Sequence, residues 1–151
     1  MTIETRPLFR ITLQVGAPQL LGRTPAGDRR IVPVVGGSFE GERLSGTVEP
    51  GGSDWILMRP DGAAQLDVRL TLRTTDGALI GMTYRGVRHG PPSVIERLNR
   101  GEPVDPSEYY FRTAPWFETA AERYDWLNRI VALATGRRPP EGPVYRIFEV
   151  L

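Results

Sequence analysis

The chain has no cysteine, no lysine and a single histidine, His89, in 151 residues. Without cysteine there are no disulfides, no thiolate metal sites and no cysteine nucleophiles, and one histidine argues against a histidine-rich metal centre. No stretch approaches the roughly twenty apolar residues that a membrane-crossing helix needs, and the N-terminal MTIETRPLFRITLQVG has neither the basic segment nor the apolar run of a secretory leader. A soluble cytoplasmic protein with no membrane partner is expected. Excess charge is also missing: 19 basic residues, all arginine, face 18 acidic ones. A polyanion held by counterion release calls for a clear basic surplus, so no nucleic-acid partner is expected.

What the chain has in quantity is turn residues. Seventeen glycines and fourteen prolines cut it into short segments, the punctuation of an all-β protein. LFRITLQVG (8–16), RRIVPVVGG (29–37), a weaker strand within 39–52, SDWILMRPDG (53–62), LDVRLTLRT (66–74) and ALIGMTYRG (78–86) read as successive strands. Pro33 suggests an edge or bulge, glycines 41 and 46 permit bends, and TDG makes a tight hairpin turn. A polar, proline-rich excursion over 88–107 holds one short helix, SVIERLNR, with Ser93 as cap and Glu96 in the capping-box position. After the aromatic strand EYYFRTAPWFE (108–118), Thr119 and Glu122 mark a second short helix. WLNRIVALATG (126–136) is compatible with helix or strand, and its β-branched Ile130 and Val131 favour strand. VYRIFEVL (144–151) closes the series. Eight or nine strands on short turns suggest an antiparallel barrel or a sandwich, one domain over 1–151 with one or two short helices, and the barrel is preferred. The two terminal strands would pair with each other and so leave no exposed edge.

GDRRIVPVVGGSFEGERLSGTVEPGGSDW, RPDG, LDVRLTLRTTDGALI, YFRTAPWFET, YDWLN and VYRIFEV together resemble the DUF3237 family, also called UPF0311, small bacterial and fungal proteins. The resemblance covers nearly the whole chain, and PGGSDW and LDVRLTLRTTDGALI are its most specific pieces. It implies an antiparallel β-barrel of the general kind seen in calycins and allene oxide cyclase, often dimeric, with a cavity inside. It implies no particular reaction.

Candidate site residues follow from polar side chains set among aromatic and aliphatic ones. On 66–74, Asp67 and Arg69 share one face and Leu66, Val68, Leu70 and Leu72 the other. The charged face is either the wet side of a sheet or the lining of a polar pocket. In the second case Asp67, Arg69, Tyr84 and Arg112 would converge as a catalytic group. The acid would move a proton, and the arginines and tyrosine would hold an anionic or carbonyl oxygen. Trp55, Met82, Tyr110, Trp116, Glu118 and His89 would line the ligand's path, His89 from a gating excursion over one barrel opening. In the first case Asp67 only satisfies an arginine, Glu118 serves the helix start at Thr119, His89 stays in solvent and Trp55 fills a core or interface. GVRHGPP and PGGSD lack the spacing and the lysine of a phosphate loop. Ser38, Ser45, Ser53, Ser93 and Ser107 lie in turn or loop contexts rather than in a nucleophile elbow. The expected function is a small-molecule-binding barrel that uses no cofactor or metal and isomerises, cyclises or eliminates by acid/base chemistry. The alternative is a filled, non-catalytic scaffold. A homodimer is expected in either case, since WILM and IVALA put apolar residues on both sides of a strand.

Overall fold

The computed structural model describes residues 1–151 and contains ten strands. They are β1 (Thr5–Val15), β2 (Gln19–Thr24), β3 (Gly27–Glu40), β4 (Ser45–Val48), β5 (Gly52–Met58), β6 (Ala64–Thr74), β7 (Leu79–His89), β8 (Tyr110–Glu118), β9 (Ala132–Arg137) and β10 (Val144–Val150). All pair antiparallel, in the order β1, β10, β9, β8, β7, β6, β4, β3, and β1 then pairs with β3 to close the ring. β4 and β5 are two pieces of one stave, each lying between β3 and β6. The result is a closed antiparallel barrel of eight staves, one of them split into β4 and β5, with β2 as an added strand, and the barrel is what the turn-rich sequence predicts. β2 pairs only with β3, so its other edge is free, and β2 with the first half of β3 overhangs one mouth of the barrel.

Alternation puts aliphatic side chains inside. On β6, Leu66, Val68, Leu70 and Leu72 are buried while Gln65, Asp67, Arg69, Thr71 and Arg73 are exposed. On β8, Phe111, Thr113, Pro115 and Phe117 point in and Tyr110, Arg112, Ala114, Trp116 and Glu118 point out. Twenty-six buried residues form one core cluster. In one half of the barrel Phe9 packs against Phe39 and Phe117 at ring separations of 5.2 and 5.9 Å, within the core cluster. Glycines 41 and 46 serve close approach more than bending. A Cβ on Gly46 would stand 1.9 Å from the Arg73 carbonyl oxygen and one on Gly41 2.2 Å from that of Leu8. The hairpin turn after β6 ends on Gly77 at φ +91°, a left-handed conformation that suits glycine.

Two connections differ in detail from expectation. The helix of the excursion, α1 (Pro92–Asn99), begins one residue before Ser93 and has no side-chain cap, because Pro91 occupies the N-cap position and Pro92 starts the first turn. Its Val94 and Leu98 are buried in the core cluster, which seats α1 on one end of the barrel. The segment 126–136 divides: Trp126–Arg129 completes a 3-10 turn running from Glu122 to Arg129, and Ala132–Arg137 is strand β9. Thr119 accepts a hydrogen bond from the Ala121 amide and donates one to the Leu79 carbonyl, so it ties this turn to β7 without capping it. No helix is long and apolar enough to cross a membrane.

Candidate functional site

The half of the barrel under the β2–β3 overhang encloses a cavity of about 330 Å³. Val32 and Val34 of β3, Ile56 and Met58 of β5, and Leu66 and Val68 of β6 make its apolar wall. The polar groups in it are few: Asp54 of β5, Tyr84 and Arg88 of β7, Tyr145 of β10, Arg30 of β3 and Arg138 of the loop after β9, with Asn99 at the end of α1. An apolar pocket with a handful of placed polar groups is how small-molecule sites are built.

Strand parity explains each placement. Asp54 lies two residues before Ile56 and four before Met58, so all three face the cavity, while Trp55 faces out and is 46% exposed. Arg88 is in phase with Ile80, Met82 and Tyr84 and is buried with them. Tyr145 is in phase with Ile147, and its ring meets those of Tyr84 at 5.1 Å and Phe111 at 5.4 Å, the latter nearly edge-on at 83°.

The β5–β6 pairing passes from Asp54↔Val68 to Leu57↔Gln65 with no paired residues between. In that gap the Asp67 amide donates to Asp54 Oδ1 at 3.1 Å, and the Trp55 carbonyl accepts from Arg29 Nη1 at 2.9 Å. The Asp54 carboxyl is thus held by one backbone bond and otherwise turned to the cavity. Burial pushes its pKa up to about 6, although the Asp67 amide and the charges of Arg88 and Arg138 pull it down. Burial, and after it the nearby Arg138 charge, lower Arg88 to about 10. Tyr84 is driven well above the ordinary phenol range by burial and then by Tyr145, and Tyr145 is raised mainly by burial, so both hydroxyls keep their protons at neutral pH.

Of the residues singled out in the sequence, Tyr84 lines this cavity and Met82 lies inside, in the packed core. The expected inward convergence of Asp67, Arg69 and Arg112 does not occur. All three point outward, because the aliphatic partners of β6 and the aromatic partners of β8 take the inner face. Asp67, Arg69 and Trp116 do come together, in an open depression of the outer wall with Thr83 and Arg85. His89 stacks on Tyr110 at 5.1 Å, and Arg112 lies over the same ring while donating to the Phe111 carbonyl; these three line an outer groove. His89 is therefore not at the cavity entrance, because it follows Arg88 and has the opposite parity. Trp55 and Glu118 are also on the outer wall, and Glu118 ends β8 opposite Gly81 rather than capping a helix.

Asp54, Arg30, Arg88, Arg138 and Tyr145 were not singled out in the sequence. The available signal was parity. An acid in phase with Ile56 and Met58, and an arginine in phase with Ile80, Met82 and Tyr84, sit on faces that are otherwise apolar.

The family model for a protein of unknown function, DUF3237, matches residues 3–150. A UPF0311 protein of Rhodopseudomonas palustris is 38% identical over 150 residues, covering 99% of this chain and 98% of its own. The crystal structure of a conserved protein of unknown function from the same organism superposes with a TM-score of 0.93 over 100% of this chain and 99% of the other, at 38% identity. A β-barrel-like protein of Acinetobacter baumannii superposes at 0.87, with 37% identity, over 100% of this chain and 98% of that one. A hydroalkoxylation enzyme of Penicillium herquei is 27% identical over 128 residues, 85% of this chain and 70% of that enzyme.

Proposed function

This chain belongs to the DUF3237 family, and on that premise we propose that it is a small-molecule enzyme that moves a proton on an apolar or aromatic ligand held in the barrel mouth, using only its own side chains. The observation that carries this reading is Asp54: a carboxyl facing an apolar cavity with its pKa pushed up to about 6. Such a group takes and returns protons near neutral pH, where an ordinary aspartate is a poor acid. The Tyr84 and Tyr145 hydroxyls, protonated and close to Asp54, can donate to a ligand oxygen as charge develops on it.

Chemistry of this kind includes isomerisation, where a proton leaves one carbon and returns at another. It also includes intramolecular addition of a hydroxyl to a C=C bond, in which an O–H and a π bond break and an O–C and a C–H bond form. Addition of an O–H across a C=C bond, without regard to whether it is intramolecular, is the reaction class in the name of the Penicillium herquei relative. Neither consumes an oxidant or reductant.

A second reading is favoured by the Asp67 amide bond. In it, Asp54 bridges the gap in the β5–β6 ladder and the cavity only binds. The two are separated by incubating the purified protein with metabolite extracts in D₂O and analysing what it retains by mass spectrometry. The enzyme reading expects a retained molecule carrying one carbon-bound deuterium, with loss of retention when Ile56→Trp fills the cavity. A retained molecule without deuterium leaves a binding protein. No difference in retention between the wild type and Ile56→Trp would remove the site.

We also propose a homodimer. Leu20 and Leu21 on β2 are exposed apolar side chains beside its free edge, and Val35 on β3 and Trp55 on β5 add exposed apolar side chains on the neighbouring strands. Light scattering is expected to give twice the chain mass across dilute and concentrated samples, and a monomer mass throughout would refute it.

A further inference from the structure

We propose that the ligand of the barrel cavity is an organic anion with an apolar body, and that Arg88 receives its charged oxygen. The inference rests on the cavity being the binding site and names the class of molecule that it takes.

Arg88 is the only arginine in the buried set, 7% exposed, and it lines the cavity. The other buried charged residue, Glu149, is satisfied by Arg6 and Arg43. Nine other arginines are within salt-bridge distance of a carboxylate, whereas the Arg88 guanidinium forms no ion pair and no hydrogen bond with another side chain or backbone group. Asp54 and Tyr145 favour its charge only through space, without bonding it, and the Phe111 ring lies 5.6 Å from the guanidinium carbon. That is near the outer limit for a cation–π contact. Withdrawing a guanidinium from water with no partner is costly, and an anion that binds there recovers the loss.

The surroundings set the sign and the shape of that anion. Arg138 and Arg30 face the same cavity, Arg30 partly engaged with Asp28 at 3.5 Å, and Asp54 is the one acid among the lining residues. With Asp28 counted beside Arg30, three guanidinium groups against two carboxyls still leave the mouth with a positive excess. The walls opposite are Val32, Val34, Ile56 and Met58, which exclude a small hydrated ion and suit a hydrocarbon body. The class is therefore a carboxylate, or an equally acidic enol or phenol, on an apolar frame.

Calorimetric titration with 2-naphthoate and 2-naphthamide tests this, since the two share a frame and differ in charge. The acid is expected to bind the wild type about ten to a hundred times more tightly than the amide, the range for a charge-assisted hydrogen bond. Arg88→Met should erase the preference, the acid losing at least about tenfold more affinity than the amide, and Arg88→Lys should keep part of it. Equal binding of acid and amide to the wild type overturns the anion assignment and leaves the cavity as a site for neutral molecules. A preference that survives in Arg88→Met overturns the role of Arg88. Failure of both probes to bind sinks the proposal and the cavity reading together. Inorganic phosphate displacing naphthoate at equal concentration would show an ion site with no use for the apolar wall, which also overturns the class. The wild-type comparison decides the ligand class even if Arg88→Met does not fold.

Discussion

Replacing Asp54 with asparagine is expected to slow turnover by about 10²- to 10⁴-fold, the contribution of a positioned acid or base, while making the folded protein more stable at neutral pH. The two effects share a cause. Asparagine keeps an oxygen to accept from the Asp67 amide, so the ladder gap stays bridged, but it cannot carry a proton. The folded pKa of Asp54 is about 6, above that of the unfolded chain, so between those values the native state binds the extra proton. Its contribution to stability is complete below the unfolded pKa of about 3.9 and is lost as pH rises through 6. Above pH 6 the wild type therefore carries a cost that Asp54→Asn removes, about 1–3 kcal/mol from the size of the pKa gap. Urea unfolding of both proteins from pH 4 to pH 8 should show the curves together at the acid end and separating as pH rises. Parallel curves would mean that Asp54 is no more buried in the native state than in the unfolded chain. Unchanged turnover in Asp54→Asn would move the proton-transfer role elsewhere.

Phe111→Ala is expected to cost about 3–5 kcal/mol, the range for emptying a buried aromatic site. Phe111 is 1% exposed and is the largest of the fully buried side chains. Its ring stands edge-on to Tyr145, lies under Arg88 and presses on Gly136, where an added Cβ would come within 2.8 Å of it. Gly136 has no side chain to fill the void, so β9 cannot collapse into it. Because Phe111 also lines the cavity, the lost volume would open into the site and loosen ligand binding as well. Thermal and chemical unfolding measure the first effect, and the naphthoate titration the second. A loss below about 1 kcal/mol would show that the barrel repacks freely around β8.

The barrel was legible from glycine and proline punctuation and from alternation on 66–74, because turn chemistry and period-2 patterning are local properties. The site was not, for a reason visible on β6 and β7. Asp67 and Arg69 drew attention because they alternate with leucines, but that alternation is what turns them outward. Arg88 and His89 are neighbours, and the histidine drew attention for its chemistry while the arginine held the inner position. Asp54 sits beside Trp55, whose size suggested a wall, yet Asp54 has the parity of Ile56 and Met58. A charged residue on an apolar parity is the informative signal, and it requires each strand's inner face to be fixed first. The stave made of β4 and β5 added a further obstacle. Which strands border the cavity depends on long-range pairing that spacing along the chain does not specify.

Closure of the ring has a consequence for synthesis. β1 is held on one side by β10, with Thr5 opposite Val150 and Thr12 opposite Val144, so one of the first strands to be translated finds this neighbour only after almost the whole chain has been made. Until then Leu8, Phe9 and Ile11, each buried in the finished barrel, have a half-built sheet to lean on through β3 and an open seam beside them. Pairing across so long a separation is slow, and an open seam can pair with another chain. Ribosome-bound chains stalled before β10 should consequently call on chaperones that completed chains do not need, and the β1 seam is where those chaperones would be found.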